Sequence, residues 1–544
     1  MLGMPLDTVS AEQVAAMALA VVGPGSTEER IRTVEEALNG PGGEVWRNQI
    51  AEWIGTFVPV ENMVPREGPW RQVVRDAIRF VFAHLSVPRL AAKIVEQLEL
   101  PPRTPPEKRM LRLISRMPAL QKLGQVLARN PRLAPAAREA LTELENGISD
   151  VTPRQVRTEV ERQLGPLLHR FQVRMDTRML SEASVSAVIG FTYRLPGRER
   201  ERGVFKVLKG HIPACFAEDM SLLQDLAAYT ATRGGVYDFA VREISDSLAE
   251  VRLLLEHELD YVREQATLLD AWRCYRSSIG IRVPRLIRPL CTTSVTAMSA
   301  ESGVKVTDAL RWSRTRRVRV AEQVIEAILA VPLFSREEDV VFHGDPHAGN
   351  LLYDEPNREL VLLDWALADR LSLQSRRQLV LLAVMMILRS PQGVARAIQS
   401  LAQPPRTGRR KMNAAIERAT RRYFRRLPPG HAPGALDAMM LLDLLALEGV
   451  RFPPSLFLFR KVVFTLDGVL HDVAGPGMRL DQIIAREFLT RWAASFGLFH
   501  APLAMNDFLS LPWNALLYPA RAWVGNRLAA RTGPAPRRKP ASAR

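Results

Sequence analysis

A polar loop between two short apolar strands constrains the fold of this chain more than any other segment. Residues 340–342 and 360–363 are predicted strands, because each is a short apolar run bounded by polar residues. The segment between them contains His343-Gly344-Asp345 and Asn350, and Asp364 directly follows the second strand. Packing between apolar strands gives no reason for so polar a segment, so its side chains are candidates for chemistry.

The spacing of these residues is typical of phosphoryl transfer. A loop carboxylate such as Asp345 orients or deprotonates the acceptor, while an amide oxygen and a second carboxylate, here Asn350 and Asp364, hold the magnesium ions that bridge the nucleotide phosphates. His343 would brace the loop. An ordinary hydrogen-bonded loop is the alternative for His343 and Asp345 alone, but it does not account for the whole string. We therefore expect ATP or ADP, with Mg²⁺, at this segment.

This chemistry also needs a cation for the phosphates and a carboxylate that positions it. Lys206 lies in the middle of an apolar predicted strand, where burying its charge costs free energy unless the charge is paired. The alternative is an edge-strand lysine whose ammonium reaches solvent. Glu264 is the expected partner. Glu258 and Asp260 precede it on the same predicted helix, and the three would share a broad acidic face, unless that face is merely solvated.

The remaining chain is predominantly helical in pattern. A proline-rich linker near Pro105 separates a first helical region from a second one that is predicted to continue to about Met179. The other predicted elements are strands at 204–208 and 294–298, helices at 220–232, 244–277 and 318–331, and mostly helix from the second apolar strand to about residue 473.

A second unusual string, Leu120-Gln121-Lys122-Leu123-Gly124-Gln125, lies in the second helical region. A glycine costs stability within a helix unless close packing requires it. With this string the chain resembles the UbiB/AarF family of atypical kinase-like proteins, which is linked to ubiquinone biosynthesis. The resemblance covers roughly residues 106 to 475.

The resemblance assigns roles to residues of this chain motif by motif. The family's Lys-x-Gly-Gln motif matches Lys122, Gly124 and Gln125, and its Ala-rich loop is matched in part by Ala183 and Ser184. The family's strand lysine falls on Lys206, its Glu-x-Asp motif on Glu258 and Asp260, and its helix glutamate on Glu264. Its catalytic loop falls on His343, Asp345 and Asn350, and its metal-binding aspartate on Asp364. Val204 and Met298 are predicted to line the nucleotide pocket.

Four positions depart from the family pattern. Trp365-Ala366 follows Asp364 where Phe-Gly is usual, and an alanine stiffens a hinge that glycine would leave free. Ala348 replaces a usual proline, Ala187 a frequent glutamine, and Val204 the alanine above the adenine. These changes bear on nucleotide affinity and preference more than on catalysis, because the charged positions are retained.

The resemblance implies an α+β, bilobal protein-kinase-like fold with a small β-containing N-lobe, a helical C-lobe and added N-terminal helices. The predicted domains are an N-terminal helical region (1–105), Lys-x-Gly-Gln accessory helices (106–180), the N-lobe (181–302), the C-lobe (303–480) and an apolar, basic tail (481–544). The accessory helices would pack over the site as a lid, with Lys122 against Glu258 and Asp260. Such a lid favours ATP hydrolysis, or a small or lipid-like acceptor, over a bulky protein.

The formal charge of +16 indicates a polyanionic partner. The basic residues cluster at 311–319, at 406–426 and in the tail, and an anionic membrane surface suits them. The alternatives are a solvated face for the 406–426 stretch and a tail packed on the kinase lobe. The apolar stretch 492–520 is interrupted by Asp507 and prolines, so a regular membrane-spanning helix is not expected there. No zinc-finger, helix-turn-helix or RNA-binding signature supports nucleic acid. Three scattered cysteines and a poor signal-peptide pattern favour the cytoplasm, at the inner face of the membrane.

Two other functions stay open at the level of sequence. A small-molecule phosphotransferase of the aminoglycoside or choline kinase type would use the same His-x-Asp loop, and only Lys122, Gly124, Gln125 and the Glu258/Asp260 pair favour the first interpretation. A non-catalytic, nucleotide-gated lipid-binding scaffold is the other alternative, supported by Val204 and Ala366.

Overall fold

The computed structural model describes residues 22–57, 70–101, 103–121, 151–233, 252, 255–404, 408–428, 431 and 433–475. Lys122, Gly124, Gln125 and the predicted tail lie outside these ranges. The chain divides into two compact units, the first formed by Met1–Arg263 with Ile287–Ala300 and the second by Glu264–Leu286 with Glu301–Arg544. The predicted boundaries at residues 105, 180 and 302 stay predictions.

The first unit begins with helices packed on an apolar core. They are α1 (Thr27–Asn39), α2 (Gly43–Phe57), α3 (Trp70–His84), α4 (Val87–Leu98) and α5 (Pro106–Ile114). Ser26 caps α1 through a capping box with Glu29, which satisfies backbone N–H groups that the helix itself leaves open. Buried residues such as Phe82, Leu85 and Leu90 form the core of this part. Helices joined by short loops therefore confirm the predicted helical pattern in the described part of residues 22–100.

The prediction that helix continues to Met179 is wrong. Helices α6 (Pro153–Leu164) and α7 (Pro166–Arg170) end before strand β1 (Arg174–Glu182). Among the strands of the described ranges it pairs only with β2 (Ser186–Arg194), and its side chains are exposed or half-buried. A solvated edge strand needs no apolar alternation, so its sequence carries little strand signal and the pairing with β2 decides its conformation.

A four-stranded antiparallel sheet forms the centre of the first unit, in the order β1-β2-β3-β5. Strand β3 (Arg200–Leu208) lies between β2 and β5 (Val295–Ser299), and both predicted strands are confirmed. One face packs Phe191, Phe205 and Ala297 against α6, because alternate residues of a strand point to opposite faces. Helix α8 (Ile212–Thr232) follows β3 and confirms the helix predicted at 220–232.

The second unit combines short strands with helices. Helix α9 (Tyr261–Tyr275) leads into it and β4 (Ile281–Arg282) follows. Strands β6 (Val304–Lys305), β8 (Leu351–Asp354) and β9 (Glu359–Leu362) form one sheet with β4, in the order β4-β9-β8-β6. Strand β7 (Asp339–Phe342) pairs with β10 (Asp369–Ser372), which the sequence did not predict. The segments that follow β7 and β9 carry His343, Asp345, Asn350 and Asp364.

Helices make up the rest of the second unit. Helix α10 (Arg314–Ile325) continues through a π-helical turn (Glu326–Ala330) and confirms the predicted amphipathic helix. The later helices are α11 (Leu373–Ile387), α12 (Pro391–Leu401), α13 (Arg409–Arg426), α14 (Ala435–Leu447) and α15 (Pro454–Ala474). The predicted helical character up to residue 473 is confirmed where the chain is described. None of the helices in the described ranges is both long and apolar enough to cross a membrane.

Candidate active site

His343 ties the catalytic loop to the metal-binding segment. Its Nε2–H donates to the Leu363 carbonyl oxygen (2.7 Å), and its Nδ1 accepts from the Asp345 backbone N–H (3.2 Å). A carbonyl only accepts and a backbone N–H only donates, so the ring must be neutral. Burial lowers the pKa of His343, which agrees with the neutral form. The predicted bracing role is therefore matched by two hydrogen bonds, one on each side of the loop.

Asn350 and Asp364 lie at the end of the β8–β9 hairpin. The Leu363 backbone N–H donates to the Asn350 carbonyl oxygen (2.9 Å), which extends the hairpin by one pair, Asn350 with Leu363, so that Asp364 directly follows the residue opposite Asn350. The Asn350 amide N–H donates to the Asp345 carbonyl oxygen (3.1 Å), so its amide oxygen is the atom available to a cation. Amide and carboxylate oxygens suit Mg²⁺.

Asp364 has a left-handed backbone conformation, with φ of +53°. Its Oδ1 accepts from the Ala366 backbone N–H (3.2 Å), a local bond that helps an aspartate to hold this conformation. Trp365 is buried, donates through Nε1 to the Leu362 carbonyl (3.2 Å) and packs edge-on against the His343 ring. Trp365, through these contacts, and the backbone N–H of Ala366 thus fix the segment around Asp364.

Lys461 is a residue of this site that sequence reasoning missed. It lies on α15, and its Nζ is 3.3 Å from Asp345 Oδ1. The side chains are 19% and 14% exposed, respectively, so the pair is largely shielded from solvent. The signal in the sequence was a basic pair, Arg460-Lys461, within an apolar stretch of the helix, residues 456–464. Its separation from the loop along the chain hid the connection.

Lys206 lies in the first unit on the interior strand β3, where it pairs in register with Val188 of β2 and Thr296 of β5. It is 8% exposed, which excludes the edge-strand alternative. Its Nζ lies 5.9 Å from the centroid of the Tyr261 ring, a cation–π contact. A buried cation in the interior of a sheet is what the predicted phosphate-binding role requires.

Val204 and Met298 face each other across β3 and β5. They are directly paired in register and half-buried, and Val204 is two residues from Lys206, so it shares the lysine's face of the strand. Both therefore lie beside Lys206, as nucleotide-pocket residues would. Ala187, which replaces the family's glutamine, is fully buried on the opposite face.

The predicted nucleotide loop is a tight turn between β1 and β2. The Ala183 N–H donates to the Ser186 carbonyl (2.8 Å), and Ser184 is buried while Ala183 is exposed. A buried ion pair anchors the turn, with Lys209 Nζ 2.8 Å from Glu182 Oε1. The Lys209 N–H also donates to the Val185 carbonyl (3.0 Å), so the turn is tied to the end of β3.

The single acidic helix predicted through Glu258, Asp260 and Glu264 is wrong. Residues 255–259 are helical, Asp260 is not, and α9 begins at Tyr261. Asp260 Oδ1 accepts from the Arg263 N–H (2.9 Å), so Asp260 is the N-cap of α9, a role for which aspartate is well suited. Glu264 lies in the first turn of α9 and is buried. The three carboxylates therefore belong to two helices and the cap between them.

Two predicted groupings are not settled by the described geometry. Lys206 belongs to the first unit and Glu264 to the second, so their pairing stays a prediction. The predicted contact of Lys122 with Glu258 and Asp260 involves a residue outside the described ranges, and it too stays a prediction.

Comparison with known proteins finds relatives of this chain. The model of the ABC1 atypical kinase-like domain matches residues 143–398, which include Lys206, the catalytic loop and Asp364. A probable protein kinase UbiB of Xylella fastidiosa strain M23 is 26% identical over 422 residues, covering 74% of this chain and 72% of that protein. A probable protein kinase UbiB of Edwardsiella ictaluri is 25% identical over 393 residues, covering 71% and 70%.

A solved complex of Rv3197 with erythromycin from Mycobacterium tuberculosis is similar with a TM-score of 0.41 and 16% identity, over 68% of this chain and 93% of that one. The domain match, rather than this structure, confirms the predicted α+β, protein-kinase-like fold class. The domain match and the similarity to UbiB proteins confirm the predicted resemblance to the UbiB/AarF family of atypical protein-kinase-like proteins.

Proposed function

We propose that this protein binds Mg²⁺ and ATP and supports ubiquinone or other isoprenoid-lipid metabolism at a membrane surface. The match to the atypical kinase-like domain and the similarity to probable protein kinases support a phosphotransferase of kinase or ATPase type. The observation that carries the proposal is the hydrogen-bonded group around His343, which holds Asp345, Asn350 and Asp364 within one loop and hairpin. Similarity to the UbiB proteins points to the quinone pathway.

The donor set fits a magnesium ion, because the Asn350 amide oxygen and the Asp364 carboxylate are hard oxygen ligands. When bound, Mg²⁺ would neutralise charge on the nucleotide phosphates. Asp345 accepts the proton of the attacking water or hydroxyl as its oxygen bonds to the γ-phosphorus. The bond from that phosphorus to the bridging oxygen breaks, and ADP leaves. By the resemblance, Lys206 is the cation expected to bind the phosphates.

The partner surface that we propose is an anionic membrane. Helix α13 exposes a cationic series with a single acidic residue, Glu417, among its charges; the series comprises Arg409, Arg410, Lys411, Arg418, Arg421, Arg422, Arg425 and Arg426. Like charges this close repel one another, and an anionic surface relieves the repulsion. Helix α13 adjoins α14 through Arg422 and Glu448 (3.2 Å).

Large apolar side chains are exposed on the two helices that follow α13, namely Met440 and Leu444 on α14, and Phe457 and Phe464 on α15. An ion pair between Asp443 and Arg460 joins the two helices. Asp443 lies between Met440 and Leu444 on α14, and Arg460 lies between Phe457 and Phe464 on α15. The ion pair therefore brings the exposed apolar side chains of the two helices next to one another. Exposed apolar residues next to a cationic helix suit a lipid interface better than a purely aqueous one.

Substitution of the metal-binding aspartate tests the enzymatic proposal. We expect Asp364→Asn to abolish Mg²⁺-dependent ADP binding, measured by calorimetry, together with ATP turnover. Asp472→Asn, at an exposed carboxylate on α15, is the matched control and should bind as the wild type does. Unchanged ATPase activity in Asp364→Asn would refute the assignment. Tight nucleotide binding without turnover, with or without liposomes and quinone-like phenols, would instead favour the scaffold alternative.

Liposome sedimentation tests the membrane proposal. Changing Arg418, Arg425 and Arg426 to glutamine should weaken binding to vesicles with anionic lipid and leave the little binding to neutral vesicles unchanged, since each basic residue near such a surface contributes roughly 1 kcal/mol. The control changes the exposed Arg178, Arg194 and Arg198 of the first unit instead. Equal binding by the two triple variants would contradict the assigned surface.

A further inference from the structure

The C-terminal helix α15 packs directly on the catalytic loop. The Phe459 ring meets the Phe342 ring edge-on, with centroids 5.6 Å apart, just before the loop begins. A Cβ built on Gly344 would lie 3.0 Å from Leu458 Cδ2. Lys461 then reaches Asp345 itself. Three neighbouring positions of one helix thus contact the loop, although the chain between loop and helix forms several other elements.

The surroundings of Lys461 restrict the places its ammonium can take. Val462 and Val463 beside it are buried, as is Phe459, so this stretch of the helix is fixed by its apolar contacts. An ammonium shielded from water costs free energy unless a counter-charge is near. The carboxylate of Asp345 supplies that charge at 3.3 Å. The pair is therefore held from both sides, by the core under the helix and by the loop hydrogen bonds around His343.

We propose that Lys461 is a positioning residue for the reaction: its ion pair fixes the Asp345 carboxylate, so that one oxygen faces the lysine and the other is directed to the acceptor. This role rests on the proposed function. A misplaced reacting group costs about 100-fold in rate for a displacement near 1 Å. The C-terminal helix thereby supplies part of the active site.

The test separates kcat from KM. Lys461→Met keeps an unbranched stem and removes the charge, and we expect kcat for ATP turnover to fall about 10- to 100-fold. The KM for ATP should change less than about twofold, because Lys461 acts on Asp345 and not on the nucleotide. Lys461→Arg should restore most of kcat. Arg460→Met, which removes the neighbouring cation that pairs with Asp443, should leave kcat close to that of the wild type.

A second measurement uses the nucleotide-free protein. Lys461→Met and Asp345→Asn should each lower the melting temperature, and the double variant should lose no more than the larger single loss, because both changes remove one pair. Additive losses would overturn the proposal, and so would a Lys461→Met enzyme with wild-type kcat in an active background. An inactive wild type would overturn the proposed function, and with it the catalytic role, while the melting cycle would still report on the ion pair.

Discussion

Gly344 has a hydrogen atom where other residues have a side chain, and the catalytic loop has no room for more at this position. A Cβ at this position would overlap the Leu367 carbonyl oxygen and lie 2.8 Å from the carbonyl carbon, so the loop backbone packs directly on the segment after Asp364. Gly349 is also crowded, but its hypothetical Cβ meets the ring of His347, an exposed side chain that can rotate away at the cost of its hydrogen bond from the Gly349 N–H (3.0 Å). Close backbone packing therefore explains the glycine at position 344, whereas at position 349 only a side chain is close.

This difference gives a paired prediction. We expect Gly344→Ala to destabilise the protein by about 3 kcal/mol, the upper end for overpacking, because the clash is with backbone and not with a movable side chain. Gly349→Ala should cost less than about 1 kcal/mol. Chemical denaturation of both variants measures the free energy of unfolding. Equal losses in the two variants would show that the loop can shift away from Leu367 and that the packing is not rigid.

His211 provides a pH-dependent residue away from the catalytic loop. Burial, together with the charges of Lys209, Arg116 and Arg89, lowers its pKa to about 4. An unfolded histidine titrates near 6.5, so the unfolded chain binds more protons than the folded one below that pH. The stabilisation is therefore complete above about pH 6.5 and is lost as the pH falls toward 4.

We expect the melting temperature of the wild type to fall more between pH 7 and pH 5 than that of His211→Gln, which cannot take up this proton. Thermal denaturation in buffers of constant ionic strength measures the difference. Parallel curves for the two proteins would mean that His211 is protonated in the folded protein and that its burial is not decisive.

At the scale of elements, the turn between β1 and β2 is held by an ion pair instead of by glycine. Lys209 and Glu182 are both almost fully buried at the ends of β3 and β1. Removing one member of such a pair leaves the other charge buried without compensation, whereas replacing both by apolar groups removes the problem. The pair therefore fixes the turn that carries Ala183 and Ser184.

Glu182→Gln should accordingly destabilise the first unit by about 3 kcal/mol, because the Lys209 ammonium stays buried next to a neutral amide. The double variant Glu182→Leu with Lys209→Met should recover much of that loss. Denaturation monitored by circular dichroism compares the two. A double variant that is less stable than Glu182→Gln would show that the turn needs the charges themselves.

The elements also show what the sequence could predict and why the rest was hidden. Runs such as 204–208 and 340–342 were recognised because burial on both sides leaves a plain apolar signal. Strand β1 was read as helix, since its conformation comes from pairing with β2. The break at Asp260 was missed because a capping aspartate looks like one more charge on a helix face until its bond to the Arg263 N–H is seen.

At the scale of the whole molecule, motif residues close together in sequence were predictable and distant ones were not. His343, Asp345, Asn350 and Asp364 stand within one loop and hairpin, so their grouping follows from local structure. Lys461 is brought to Asp345 only by the packing of α15, which no local pattern contains. The partners of basic residues were also hidden when they are distant in sequence. Arg316, which belongs to the basic cluster at 311–319, has its Nη2 3.1 Å from Glu355 Oε2 and its Cζ 5.1 Å from the centroid of the Trp312 ring.

The first unit is formed by two separate stretches of the chain, Met1–Arg263 and Ile287–Ala300. Strand β5 reaches the first unit's sheet from residues 287–300, with Val295, Thr296 and Ala297 buried against β3. A fragment of residues 1–263 would leave β3 as an unpaired edge that exposes Lys206 and core apolar groups. We expect it to melt without a cooperative transition, whereas 1–263 joined by a flexible Gly/Ser linker to 287–300 should melt cooperatively in calorimetry. Equal cooperativity of both fragments would show that β5 is dispensable to the fold around Lys206.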